Sequence, residues 1–574
     1  MTARFITASV FSLSIAALVA GDGVRAQSAR SQAAPPLPNH KHYVHSPEQN
    51  TPGPTGALAP RLQNLGRHTF PVSTKNDQTQ RFMNQGLNLS YGFNHAEAGR
   101  AFAEAARLDP NLAMAHWGQA LVLGPNINAA MDPAAEPVAY AHIQRALALK
   151  SKASPRERAY IDALATRYSG KPDDRAERDR AYAAAMKRLH ERYPADLDAA
   201  TLYVESMMDL RPWGYWMRDG EPYEGIGEIV ALTETIMQRS PRHPGALHLY
   251  IHLMEATHPE RAEKAADTLL PLMPAAGHMV HMPAHIYQRV GRYADAIRSN
   301  QLAIAADEDY ITQCRAQGLY PLGYYPHNLH FLWFAATYDG QGQLAIDSAR
   351  KTASKIDDAV MEEMPMLAAF RVVPYFALTR FGRWDEMLQE PAPAAKNAYL
   401  NGIFQYARGL AFVAKGQLAE AEQALDRVRR TLDDPSLDQP LFSPNMARSV
   451  LQIAPLVLGA EIATARRQYD AAIAQLERAI RLEDGLVYTE PAEWHYPVRH
   501  ALGAVLLEAG RAAEAETLYW EDLRRSKDNG WALFGVVQAL RAQGKDDQAK
   551  VVEARFTRVW TRADVKLTGS RFGR

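Results

Sequence analysis

The chain has 574 residues, 64 Lys and Arg against 64 Asp and Glu, and a single cysteine. Its formal charge of zero creates no field that would draw nucleic acid or an anionic membrane, so neither is an expected partner. A lone Cys314 excludes internal disulfides and thiolate metal sites, leaving His, Asp and Glu as the available metal ligands.

The first 26 residues read as a secretory signal: Arg4 is the basic end, "FITASVFSLSIAALVA" the apolar segment, and Val24 and Ala26 the small residues before a cut at Gln27. The expected product is a periplasmic or secreted protein with no stable membrane anchor after processing. Residues 27–78 are rich in Pro, Ser and Gly and predict a flexible, disordered leader. Its His40, His42 and His45 read either as a weak metal-capture tail or as part of a plain linker.

From Thr79 onward, alanine-rich helical patterns alternate with Gly, Pro or Asp turns, which predicts an all-α protein. The stretch "QTQRFMNQGLNLSYGFNHAEAGRAFAEAARLDPN" places Gly86 and Ala98 where two helices approach, Phe102 and Ala105 at their interface and Pro110 at the exit. The pattern returns with a small residue at Ala296, Ala345, Ala421, Ala472, Ala515 and Ala549. Over roughly residues 79–560 the chain therefore resembles the tetratricopeptide-repeat superfamily. That resemblance implies a helix-turn-helix solenoid wound as a right-handed superhelix, with a ligand-facing concave side. We expect N-terminal repeats over 79–240, a central His-rich block over 241–355 and C-terminal repeats over 356–574. Stretches such as "GHMVHMPAHIYQRVGRYADA" and "YYPHNLHFLWFAA" further resemble a large group of exported bacterial proteins of this superfamily, a group that brings no settled activity.

Nine of the 19 histidines fall between His243 and His330. In the repeat register that the resemblance implies, His278, His281 and His285 take ligand-facing positions of one unit, and His327 and His330 repeat the first two in the next. His248, His252 and Glu255 form a further stripe on one helical face. These seven histidines are the expected ligands of one or two transition-metal ions, Zn, Cu, Fe or Mn, which spacing cannot distinguish. Glu255 is the expected general base or extra ligand, and Arg289 the expected holder of a small anionic substrate. The functional expectation is a metal-dependent hydrolase or oxidoreductase acting on a small molecule. Its alternatives are a metal-free groove that takes a peptide or partner protein, and metal storage or delivery. The spacing of His252, Glu255 and His258 matches no zinc-peptidase motif, and neither a nucleophile elbow nor a P-loop occurs.

Several further groups stand out. Tyr320, Tyr324 and Tyr325 read as a rim insertion, and Trp213, Tyr215 and Trp216 as an aromatic wall or a packed loop. Glu490, Glu493, His495, Arg499 and His500 form a second cluster, while Met279 and Met282 are expected in the core.

Overall fold

In the computed structural model, which describes residues 52–53, 56–314, 320–394 and 396–572, the regular elements are helices and helical turns. The β-type pairings among the described residues are isolated bridges. The expected signal segment and His40, His42 and His45 lie outside the described residues. No described helix is long and apolar enough to cross a membrane.

Local chemistry starts and stops each helical pair. Side chains of Asn76, Asp196, Asn397 and Asn529 accept from the first backbone N–H groups of their helices, and Ser154 with Glu157 forms a reciprocal capping box. Between the two helices of a pair the chain reverses through one residue with positive φ. Gly340, Gly416, Gly510 and Gly544 do so at +74°, +75°, +75° and +71°, two residues before the second helix begins. Two pairs place a larger residue there: Phe93 at +55° and Arg467 at +60°.

The pairs then stack through a recurring wedge. Phe102, on helix His95–Leu108, lies against Gly86 of Asp77–Tyr91 and Gly118 of Ala113–Leu121, so close that a Cβ on either glycine would overlap its ring. Tyr519, on Ala512–Arg525, sits in the same way between Gly503 of Val498–Glu508 and Gly535 of Gly530–Ala542. The small residues anticipated at Ala345, Ala421, Ala472, Ala515 and Ala549 all fall on second helices and are buried. The architecture is thus the expected all-α helical-repeat solenoid.

The chain forms two compact units. Unit 1 runs to Met282 and includes Leu302–Tyr324; unit 2 takes Pro283–Gln301 and everything from Tyr325. The residues expected as central His-rich repeats, 241–355, contribute to both units. The 22-residue helix Tyr293–Cys314 contributes residues to both.

In unit 1, residues 56–76 correct the expectation of a wholly flexible leader. Leu58 N–H donates to Glu104 at 2.9 Å, Leu62 N–H to Gln85 at 3.0 Å and Phe70 N–H to Asn84 at 2.9 Å. The Phe70 ring is fully buried, stacked on Trp117 and edge-on to Tyr160. Its composition signals irregular backbone, but the repeat helices satisfy that backbone's donors and bury its aromatic ring.

Replacing a solvent-facing helical glycine by alanine gains about 1 kcal/mol. At the wedge the sign should reverse: Gly118→Ala and Gly535→Ala should each destabilise by about 1–3 kcal/mol through overpacking. Lower denaturant midpoints at unchanged m-values would report this.

Candidate metal centre

Helix Pro244–Met254 is apolar around its whole circumference, yet it carries His248 and His252, one turn apart and both buried. Helix Gly277–His281 supplies His278 to the same spot in unit 1. Ligand nitrogens of His248, His252 and His278 lie within 4.8 Å of one another.

Hydrogen bonding assigns the ring nitrogens. His248 Nδ1 is 2.6 Å from the Tyr91 carbonyl, which can only accept, so Nδ1 carries the proton and Nε2 the lone pair. His252 Nδ1 is 2.9 Å from fully buried Glu255, and donation to its carboxylate gives the same tautomer. The two Nε2 atoms then face each other at 3.0 Å. A shared proton or a metal ion satisfies both atoms at that distance.

Aromatic residues enclose the cluster. Phe93 lies 4.5 Å from the His248 ring and stacks on His278 at 5.5 Å, while Trp213 meets His252 edge-on at 5.2 Å. Both hold left-handed backbone, φ +55° and +63°, a conformation that is costly for bulky side chains. Neither was singled out by sequence as touching the histidines. The signal for Phe93 was available, because it occupies the turn position where other units carry glycine.

The indole N–H groups of the expected aromatic wall are tied to backbone: Trp213 Nε1 donates to the Ile127 carbonyl at 3.0 Å and Trp216 Nε1 to the Leu253 carbonyl at 2.6 Å. From the expected rim insertion, Tyr324 meets the His278 ring edge-on at 4.8 Å. Tyr320 accepts from the His278 N–H at 3.1 Å and donates to Asp307 at 2.7 Å. Met279 and Met282 are buried in the core, and the buried His281 ring lies 5.9 Å from that of His278.

The remaining expected ligands belong to unit 2. There His285 Nδ1 lies 3.4 Å from Glu490, and its ring is 5.8 Å from His327. Arg289 Nε is 3.8 Å from the same Glu490 carboxylate, and its guanidinium covers Tyr488. His330 is placed differently. It lies flat on Trp333 and edge-on to Phe370, burial pushes its pKa down to about 3, and it is not among the residues whose ligand atoms converge.

The second sequence cluster separates in space. Glu490 joins His285, Glu493 accepts from Asn445, and Arg499 pairs with Asp484 and Glu521. His495 stacks on Phe376, and burial drives its pKa well below the usual histidine range. Arg380 donates to His500 Nδ1 at 3.0 Å, so His500 Nε2–H donates to Asp522 at 2.9 Å. That is a neutral structural histidine.

A further acid–histidine group in unit 1 joins His68, Asp198 and His243. His243 Nδ1 accepts from Ala246 N–H, so its Nε2–H points to Asp198 Oδ1 at 3.3 Å. The same oxygen accepts from His68 at 2.8 Å and from Tyr91 at 2.7 Å. With its lone pairs occupied by donors, this carboxylate tethers the 56–76 segment and reads as structural.

No protein-family model and no curated protein matches the chain. Among solved structures it is similar to the human IFIT1 dimer with m7Gppp-AAAA, at 11% identity and TM-score 0.30, covering 85% of this chain and 91% of that one. It is also similar to the human IFIT1 dimer with PPP-AAAA, at 11% identity and TM-score 0.29, covering 85% and 92%. Likeness at that level carries nothing about the chemistry of either unit.

Two turn variants separate strain from packing. Arg467→Gly should stabilise by about 1 kcal/mol, whereas Phe93→Gly should destabilise by about 2 kcal/mol, because losing the buried ring outweighs the relief. Thermal and denaturant unfolding of both variants would read the opposite signs.

Asp198 supplies an acid-sensitive contribution. Burial alone would raise its pKa, but hydrogen bonds from His243 and His68 outweigh it and hold the carboxyl well below the usual range. Its stabilisation is present above about pH 4 and is lost as pH falls through the lower folded value. Asp198→Asn should cost about 2–3 kcal/mol at neutral pH and flatten the acid limb of a stability–pH curve. An unchanged acid limb would place that sensitivity elsewhere.

Proposed function

We propose that this is an exported helical-repeat protein, periplasmic or secreted, whose unit 1 binds a transition-metal ion through His248, His252 and His278. The observation that carries the reading is three buried imidazoles whose ligand atoms lie within 4.8 Å of one another, with the Nδ1 atoms of His248 and His252 set against a carbonyl and a carboxylate. A proton could bridge two nitrogens. A metal accounts for the third imidazole as well, since tetrahedral bonds of about 2.0–2.1 Å hold nitrogens roughly 3.3 Å apart. A carbonyl and a carboxylate on the far ring nitrogens are also the contacts that orient metal-bound imidazoles.

Imidazole donors favour zinc, copper or iron over manganese, which prefers oxygen. Three protein ligands leave a coordination position for a small ligand, and this supports a site that handles a small molecule over a purely structural ion. Glu255 was expected as a general base or ligand; its bond to His252 supports an orienting role instead. Arg289 lies in the other unit, where its contact with Glu490 supports holding that carboxylate beside His285.

Elemental analysis of protein purified without chelator should find close to one equivalent of one transition metal. His248→Ala with His252→Ala should abolish it while helical circular dichroism is retained. Glu255→Gln should weaken affinity about 10–100-fold in a chelator competition. Wild-type occupancy below about a tenth of an equivalent, with none regained on titration with zinc, copper or iron, would leave the metal-free reading, in which a proton bridges the pair.

A further inference from the structure

A cavity of about 510 Å³ opens in unit 2 on a face built by successive first helices. Arg380, Leu410, Glu461, Glu508 and Gln538 line it from the helices Val373–Arg380, Ala398–Ala414, Ala454–Ala465, Val498–Glu508 and Gly530–Ala542. One wall is not a helix. Thr568, Gly569, Arg571 and Phe572 belong to the segment after the helix Asp546–Val559, which returns across this face.

Buried Leu567 anchors the start of this stretch, and polar contacts hold the residues after it. Gln538 Nε2 donates to the Thr568 carbonyl at 3.0 Å and Arg380 Nη1 to the Ser570 carbonyl at 3.2 Å. Ser570 Oγ donates to the His500 carbonyl at 2.6 Å and accepts from the Tyr519 hydroxyl at 2.7 Å. The Arg571 guanidinium bridges Glu461 at 2.9 Å and Glu508 at 2.8 Å, and Phe572 meets Trp531 edge-on at 5.7 Å. Arg380 is itself pinned over Trp531 and Tyr496 and bonded to His500, so the groove side of these contacts is preformed.

We propose that this face is a binding site for extended peptides carrying a Ser–Arg–aromatic sequence, with residues 568–572 as its built-in occupant and a partner peptide as its competitor. Two contacts read only backbone carbonyls and so accept many sequences. The two-carboxylate clamp and the aromatic edge supply selectivity, since a planar guanidinium pairs with both acids at once, and other side chains would leave the buried Glu461 without a cation. Beside Phe572 the cavity keeps open volume for the flanks of a longer peptide. Because the occupant is tethered, its effective concentration is on the order of millimolar, so modest contacts keep it seated and a better peptide can displace it. The site uses no residue of the proposed metal centre.

The test uses the full chain and a fluorescent acetyl-Leu-Thr-Gly-Ser-Arg-Phe-amide peptide in an anisotropy titration. Arg571→Ala weakens the tethered competitor and should bind the peptide at least about tenfold more tightly than wild type. Adding Glu461→Gln and Glu508→Gln should remove that binding, and a peptide with alanine in place of arginine should not bind any form. No binding by a folded Arg571→Ala chain at about 1 mM peptide, or equal binding of the alanine peptide, overturns the proposal. Should Arg571→Ala fail to fold, hydrogen exchange on the wild type decides. Amides of residues 568–572 should exchange at least about a hundredfold faster than those of helix Gly530–Ala542, and exchange only through global unfolding would overturn it.

Discussion

An aromatic side chain held between two glycines sets the spacing on which this solenoid depends. At Phe102 and again at Tyr519, the ring of a second helix occupies the volume that Cβ atoms on the flanking first helices would need. Two neighbouring first helices are thereby held against the one second helix between them. Tyr519 extends the principle. Its ring is the wedge, and its hydroxyl reaches Ser570 of the segment seated on the face of unit 2.

Burying polar groups in such a stack is costly unless each finds a partner. The inner face of unit 1 meets the condition at His248, His252 and Glu255 by turning one edge of each ring toward a carbonyl or carboxylate. Their Nε2 atoms meet each other. Around them, Phe93 and Trp213 keep backbone conformations that a smaller residue would adopt at less cost. Local preference and tertiary packing conflict at these two positions, and such conflicts concentrate at functional sites. His500 in unit 2 is the contrast: with Arg380 on one nitrogen and Asp522 on the other, its environment is closed and needs no further ligand.

Much was legible in the sequence where the information is periodic. The buried anchor alanines, the turn glycines and the face shared by His248, His252 and Glu255 follow from helical spacing alone. The leader was less legible, because Pro, Ser and Gly report that a backbone is irregular and say nothing about whether Glu104, Gln85 and Asn84 will satisfy it. The histidine stripe was read as one site, whereas the chain divides its members: His278 and His281 fall in unit 1, His285, His327 and His330 in unit 2. Periodicity assigns a residue to a face of its own helix. It does not say which other helices that face will meet.

The sequence by itself determined the all-α class, the repeat and the supply of imidazoles without thiolates, because these depend on residue type and spacing along the chain. Only the tertiary structure decided that His278 would join His248 and His252, that the Tyr91 carbonyl would set a tautomer, and that residues 568–572 would lie across the face of unit 2. Those outcomes rest on contacts between distant segments, and one of them on a backbone carbonyl, a group that every residue carries and no sequence pattern marks.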